Sequence, residues 1–352
     1  MKISLCMIVK NEEEVLRECL ESVKGIVSEI VAVDTGSTDS TIEILKEYGA
    51  NIKQITWEND FSAARNVSLE EATGTHILVL DADERLLSSR DELVSSIAEN
   101  PHSPLQVLCK NDLDSEISIH RVIRIFPNDP AFRFQGAIHE TIYREEFLDI
   151  GVPSTISIWH IGYQKERYDK RSKKEFYLRL YENELQSRGE DGYILYQMAK
   201  LLYSTGEYTE SLPYFEKSVR YGEVHSLYYP VMLVMYGYVL KQLNRSMEAM
   251  EMLVDYIDPY PDFPDLFFLL GLLSMDAGLL ENTELAFQQC VEIGETQKYA
   301  TVQGVGSYRA THNLGVLYEV TGQQEKAIEW YRKGQVYGYS PSEERLKAIT
   351  SQ

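Results

Sequence analysis

The segment GTHILVLDADERL, residues 74–86, runs four aliphatic residues (Ile77, Leu78, Val79, Leu80) into three acids within four positions, Asp81, Asp83 and Glu84. Carboxylates gathered at the mouth of a buried strand repel one another unless a cation or hydrogen-bond donors neutralise them. A hard divalent ion does so naturally. Mg2+ or Mn2+ prefers oxygen ligands, takes one or two protein carboxylates and leaves coordination sites for substrate phosphates. The chemistry suggested is therefore a metal bridging a diphosphate. Two other places hold isolated titratable side chains: GAIHE, with His139 and Glu140 in a row after a glycine, and His160 between Trp159 and Ile161. If GAIHE is extended, His139 and Glu140 point to opposite sides and only one of them faces a substrate.

Residues that act together need elements to bring them together. Up to about residue 165 short β-branched runs alternate with amphipathic stretches: ISLCMIV, NEEEVLRECLESVKG, EIVAVD, DSTIEILKEYG, IKQITW. That alternation predicts βαβ units and a mainly parallel, Rossmann-like sheet, with functional residues at the carboxyl ends of its strands. Three strands end in polar sequence, at Glu12, at Asp34 with the following TGSTD, and at Asp81, and in an open parallel sheet those ends lie side by side.

After about residue 190 the rhythm turns helical. Ala199, Gly206, Ser211 and Phe215 are spaced 7, 5 and 4 apart, as are Gly315, Gly322, Ala327 and Tyr331 and also Gly237, Asn244, Ala249 and Leu253. Gly271 and Gly278 begin a looser copy that ends at Phe287. Small residues at fixed offsets let two antiparallel helices approach while a large one fills the groove, which predicts about four tetratricopeptide-like repeats with an insertion near residues 293–308. The tyrosines along the repeats read as core and groove filling. The expected division is a catalytic domain over 1–165, a basic helical connector over 166–190 and repeats over 191–352. Lysines and arginines of the connector could face an anionic ligand or simply solvent.

With 34 Lys and Arg against 55 Asp and Glu, the net charge of −21 argues against nucleic acid or an anionic membrane as partner. No run reaches the roughly 18 apolar residues of a membrane span, and the opening lacks the form of a signal peptide, so the cytoplasm is the expected compartment. Cys6, Cys19, Cys109 and Cys290 show no metal or disulfide spacing and read as ordinary thiols. The sequence has no GxxxxGK, GxSxG or GxGxxG, which sets aside P-loop hydrolysis, α/β-hydrolase chemistry and dinucleotide redox chemistry.

The strings CMIVKNE, VDTGSTDST, WENDFSAARN, ILVLDADE, RIFPNDPAFRFQGAIHE and SIWHIGY, in this order over about residues 1–165, resemble the family 2 glycosyltransferases of the GT-A fold. With the repeats behind them, they resemble the subgroup that includes peptide S-glycosyltransferases of glycocin-type bacteriocins. The resemblance implies that Asp34 accepts a hydrogen bond from a nucleotide base, with Asp60 or Arg65 sharing that contact and Glu12 on the same side. Relatives often have two acids where this chain has Asp34 and Thr35. It further implies that Asp81 faces the ribose, and that Asp83 and His160 hold Mn2+ or Mg2+. Glu140 would be the base, with His139 as runner-up and a buried pairing of Glu140 with Arg124 or Arg133 as the structural alternative.

The function these readings imply is metal-dependent, inverting transfer of a sugar from a nucleoside diphosphate donor, taken as UDP-linked, to a peptide or protein side chain. The repeats would bind that acceptor or pair two subunits. The rival readings are a nucleotide-binding scaffold with an inactive transferase domain, a transferase acting on a glycan or lipid, and a nucleotidyltransferase. The last would need a Gly-rich basic loop that KNEEEV lacks.

Overall fold

The computed structural model describes residues 1–113, 116–161 and 170–351. Chain contacts divide it into two units, Met1–Glu184 and Leu185–Gln352. The first contains β1 (Ile3–Val9), α1 (Leu16–Ser22), β2 (Glu29–Asp34), α2 (Thr41–Glu47), β3 (Asn51–Gln54), α3 (Phe61–Glu71), β4 (His76–Val79), β5 (Glu84–Leu86) and α4 (Arg90–Glu99). It continues through β6 (Leu105–Asp112), β7 (Ile117–Pro127), β8 (Phe132–Gln135), β9 (Thr141–Arg144), β10 (Phe147–Leu148) and β11 (Val152–His160) into α5 (Lys170–Arg188).

The main sheet has the order β3-β2-β1-β4-β7-β6-β11-β5. Its first four strands are parallel, as the βαβ alternation predicts, because each crossover is a helix that packs back on the sheet. Beyond β4 it is mixed: β7 runs antiparallel to β4 and β6, β11 runs parallel to β6, and β5 is antiparallel to β11. The buried side chains Ile3, Leu5, Met7 and Val9 of β1 anchor the core against Leu16, Leu20, Leu45, Leu78 and Leu80. Because β1 lies between β2 and β4, the carboxyl ends of those three strands are adjacent, with Val9 opposite Asp34 and Cys6 opposite Val79. A separate small sheet, β10-β9-β8, carries the GAIHE loop between β8 and β9. The four cysteines are buried and unbridged, and burial pushes the Cys6 and Cys109 thiols up to about 12, so they are inert thiols as expected.

The second unit contains the helix pairs α6 (Gly192–Ser204) with α7 (Tyr208–Tyr221), α8 (Tyr228–Gln242) with α9 (Ser246–Val254), α10 (Pro264–Asp276) with α11 (Leu280–Ile293), and α12 (Tyr308–Val320) with α13 (Gln324–Gln335), followed by α14 (Ser340–Thr350). The small–large spacing has its predicted cause. A methyl on Gly315 would fall 2.5 Å from the Tyr331 ring, on Gly271 2.7 Å from Phe287, and on Gly237 3.0 Å from Leu253. Between the helices of each pair, Gly206, Asn244, Gly278 and Gly322 all take positive φ, 80°, 59°, 72° and 75°, so the four turns share one left-handed residue. Tyr193, Tyr203, Tyr208 and Tyr214 pack against the first core cluster of these helices and Tyr196 is buried in it, as the core-filling reading expects.

The long connection 294–307 falls where the repeat intervals predict an insertion. It is pinned through Asp265, whose carboxylate accepts from Thr301 Oγ1 at 2.5 Å and from the Val302 amide at 3.0 Å. Burial raises the Asp265 pKa to about 7, against the two hydrogen bonds that lower it. The folded state thus holds a proton that the unfolded chain releases near pH 4, and stability is full below that pH and lost as pH rises toward 7. Asp265→Asn accepts from the Val302 amide through Oδ1 and donates from Nδ2 to Thr301 Oγ1, with no titrating proton. Urea midpoints measured from pH 4 to pH 8 should fall for the wild-type chain relative to the variant, by on the order of 4 kcal/mol in all; parallel curves would show that Asp265 is not buried as a neutral acid.

Candidate active site

The loops that follow β1 and β2 are zipped together by the motif residues themselves. Asn11 Oδ1 accepts from the Thr38 amide at 2.7 Å, Asp39 Oδ2 from the Glu13 amide at 3.1 Å, and Thr41 Oγ1 from the Glu12 amide at 2.7 Å. Asp34 is fully buried, and its carboxylate accepts from the amides of Gly36 and Ser37 and from Gln54 Nε2 at 3.1–3.3 Å. In this structure it closes its own loop rather than presenting an open acceptor to a base. Asp60 is the N-cap of α3, accepting from the Ala63 amide at 2.9 Å and the Ser62 hydroxyl at 2.7 Å.

Arg65 lies in the second turn of α3 rather than at the helix opening, because Asp60 caps the helix before Phe61. It is 6% exposed, which leaves it little open surface for a base contact. Its Nη2 donates to Asp81 Oδ1 at 2.8 Å, its Nε donates to Glu140 Oε1, and its guanidinium lies over Phe134. Asn66 fixes α3 beside β8 by exchanging hydrogen bonds with the Phe134 backbone, both 2.9 Å.

Arg124 of β7 completes the arrangement. Its Nη2 donates to Asp81 Oδ2 at 2.9 Å and to Glu84 Oε1 at 2.6 Å, while Glu84 Oε2 accepts from the Asp81 amide at 2.9 Å. Glu140, Arg65, Asp81, Arg124 and Glu84 thus form one chain of alternating charge. Desolvation would push Asp81 up, but the two guanidiniums outweigh it and hold its carboxyl well below the usual range. For Glu84, 2% exposed, burial wins over Arg124 and the pKa is raised. Guanidiniums, rather than a metal, neutralise two of the three acids that end β4. The partner of Glu140 is Arg65, not Arg124 or Arg133. Among the described residues Arg65 Nη1 and Arg124 Nε are buried without a hydrogen-bond partner.

The third acid is different. Asp83 Oδ2 lies 3.2 Å from His160 Nε2. The sheet register makes this meeting possible: β11 runs between β5 and β6, so His160 is opposite Glu84 on one side and Asn111 on the other. Asn111 Nδ2 donates to the Ser118 carbonyl at 3.4 Å and lies 3.0 Å from His120 Nδ1, which turns its Oδ1 to His160 Nδ1 at 2.8 Å. Nδ1 therefore carries a proton, and Nε2 faces a carboxylate oxygen. Burial lowers the imidazole pKa, but the hydrogen bond to Asp83 and the charges of Asp83, Glu84 and Asp81 outweigh it and raise the net value.

A proton or a metal cation satisfies that edge. Two ligands of an octahedral ion with bonds near 2.1 Å are about 3 Å apart, so the Asp83–His160 pair has the separation of one octahedral edge. Among the described residues no three His, Cys, Asp or Glu side chains converge as a metal cage. The pair by itself offers an ion one carboxylate oxygen and one imidazole nitrogen.

The GAIHE loop is not extended. His139 has φ +52°, and Gly136, at φ +102°, tightens the turn. His139 is exposed, stacks on the Tyr181 ring and has Nε2 2.6 Å from the Tyr181 hydroxyl, whereas the Glu140 side chain, 12% exposed, turns inward to Arg65. Tyr181 lies on α5, within the span first expected to be a connector. Of the basic run expected to meet an anion, Lys165 and Arg167 lie outside the described residues, as do the side chains of Lys170, Arg171 and Lys173.

Sequence reasoning gave Arg124 only as a partner for Glu140 and overlooked Asn111 and Tyr181. The available signals were a charged residue inside the apolar strand VIRIF and a polar ending to the alternating strand LQVLCKND. Arg124→Met leaves Glu84 and half of Asp81 without a counter-charge in a buried site. Chemical denaturation should show a loss of about 3 kcal/mol, most of it recovered in Arg124→Met/Glu84→Gln; equal stability of all three proteins would refute the network's charge balance.

Residues 4–150 match the family model described as glycosyl transferase family 2, and residues 193–221 and 308–335 match a tetratricopeptide repeat model. A TPR repeat-containing protein of Synechococcus elongatus is 35% identical over 230 residues, covering 63% of this chain and 57% of that one. The SPbeta prophage-derived glycosyltransferase SunS of Bacillus subtilis is 27% identical over 230 residues, covering 62% and 53%. An uncharacterized glycosyltransferase of Rickettsia typhi is 35% identical over 152 residues, covering 40% and 51%. The chain thus spans about half the length of these curated relatives. No helix among the described residues is long and apolar enough to cross a membrane.

Proposed function

We propose that this chain, which joins a glycosyl transferase family 2 domain to tetratricopeptide repeats, transfers a sugar with inversion from a nucleoside diphosphate donor to a peptide or protein side chain. The observation that carries the reading is the pairing of Asp83 with His160, 3.2 Å apart, two residues beyond the arginine-held Asp81 that leads to Glu140. A donor taken as UDP-linked would lie over the carboxyl ends of β1, β2 and β4, with Asp81 toward the ribose and the loops holding Glu12 and Asp34 toward the base. Mn2+ or Mg2+ held by Asp83 and His160 would supply positive charge to the diphosphate.

The remaining work falls to side chains of this chain. Arg65 takes Oε1 of Glu140 and leaves Oε2 to receive the proton of the acceptor hydroxyl or thiol. The acceptor atom attacks the anomeric carbon from the face opposite the phosphate, the new bond forms as the bond from that carbon to the phosphate oxygen breaks, and its electron pair leaves with the diphosphate. His139, held against Tyr181, is less suited to this task. The helical repeats would hold the acceptor, since such arrays present extended surfaces to peptides.

Asp83→Ala should abolish Mn2+-dependent release of UDP from UDP-sugars, and Glu140→Gln should lower transfer by about 100-fold or more while calorimetry finds donor binding retained. Nucleotide binding with no turnover in the wild-type protein would instead support the scaffold reading. Asn111→Leu removes the acceptor that orients His160. Titration of free Mn2+ followed by electron paramagnetic resonance should then give an affinity weaker by about 10- to 100-fold; unchanged Mn2+ affinity in both Asn111→Leu and Asp83→Ala would remove the metal from this site.

A further inference from the structure

The small sheet that carries Glu140 ends in an apolar tip that is exposed among the described residues. Phe147 is 76% exposed, Leu148 54% and Ile150 76%. With Arg144, Glu145 and Asp149 they line an open cavity of about 320 Å3, large enough for one bulky side chain. The backbone beneath it is well anchored. Gln106 Nε2 donates to the Ile150 carbonyl at 2.7 Å, the Asp149 amide donates to Ile142, and the Glu145 amide donates to Ala131 at 2.8 Å. At Gly151, φ +63°, the chain lies so close to Pro104 that a Cβ would meet its carbonyl oxygen at 3.0 Å. Apolar side chains held out to water on a fixed frame mark a contact surface.

Charge and position narrow the occupant. Glu145, Glu146 and Asp149 surround the tip, and its one arginine, Arg144, lies over the Phe132 ring, so the rim is negative. In the small sheet β10 pairs with β9 alone and is an edge strand. An extended peptide can add to such an edge, with alternate side chains entering pockets. From Glu140 to Arg144 the chain follows β9, and four residues at about 3.3 Å each span roughly 13 Å.

We propose that this tip docks the acceptor: an extended, basic peptide whose large apolar side chain enters the cavity about four residues from the side chain that receives the sugar. The inference rests on the transferase reading for its consequence but is tested through binding. The apolar anchor supplies affinity, the acidic rim selects lysine and arginine beside it, and the strand edge sets the direction that brings the acceptor atom to Glu140.

The probe is a fluorescein-labelled synthetic peptide with one leucine flanked by lysines and a cysteine or serine four residues away; a control peptide carries glutamates in place of the lysines. Fluorescence anisotropy with the full chain should show the lysine peptide binding more tightly, with affinity falling as salt rises. Phe147→Asp/Ile150→Asp should weaken it by about tenfold or more, and Glu145→Lys/Glu146→Lys should reverse the preference between the peptides. These side chains are exposed, and unchanged thermal melting of the variants checks that the fold is kept. Equal peptide binding by wild-type and Phe147→Asp/Ile150→Asp proteins overturns the proposal. So does a wild-type dimer that this variant dissolves without loss of peptide affinity, which would give the tip to a second copy. Donor hydrolysis, measured in the same proteins, should be unchanged by the tip substitutions; its absence throughout, with peptide binding still lost in the variant, refutes the transferase reading and leaves the docking site standing.

Discussion

Asp81 is held between two buried guanidiniums, and the rest of the first unit is arranged around that fact. One guanidinium comes from α3 and the other from β7, so the charge on Asp81 ties a helix on one face of the sheet to an antiparallel strand beside β4. Each arginine also reaches a second acid, Glu140 or Glu84. Burying either acid alone would carry a large desolvation cost, and burying either arginine alone would as well. Only the alternating set is acceptable, which makes the position of Glu140 depend on residues more than fifty positions earlier in the chain.

This arrangement divides the acid cluster by task. Asp81 and Glu84 have their charge satisfied by protein, while Asp83 faces an imidazole whose other nitrogen is already used. Asp81 and Glu84 meet guanidiniums that are always charged, whereas Asp83 meets an imidazole that carries charge only when protonated. Adjacent residues of one turn therefore acquire different chemistry through the strands next to them. The short motif alone does not determine this, because its meaning lies in β7 and β11.

Much of the fold was legible because local spacing causes it. Gly315 and Tyr331, Gly271 and Phe287, and Gly237 and Leu253 are matched pairs whose intervals are those of two packed helices, so their recurrence specifies the helix pair. The parallel half of the sheet was legible for a similar reason, since each βαβ unit is contiguous in sequence. The mixed half was not, because the order β7-β6-β11-β5 is fixed by long-range pairing that leaves no periodic trace. At the site, Asp83 and His160 stood out as residue types, but the pairing of Glu140 with Arg65 and the turn of Asn111 toward His160 depend on register and on a left-handed His139, none of which residue type reveals. The basic run beyond residue 161 drew attention through its charge, whereas the contribution of α5 visible in the structure comes from Tyr181.

The strand that delivers His160 is the last strand of the first unit in chain order, and it enters between two strands laid down much earlier. Asp83 and His160 are 77 positions apart, so the pair forms only after a large loop of chain has been closed and its entropy surrendered. In kinetic terms the Asp83–His160 pair is among the final parts of the unit to take shape. Detaching β11 would dissolve it while β1 to β4 stayed folded, and a partly unfolded molecule of this kind would keep most of its secondary structure with no competence for chemistry.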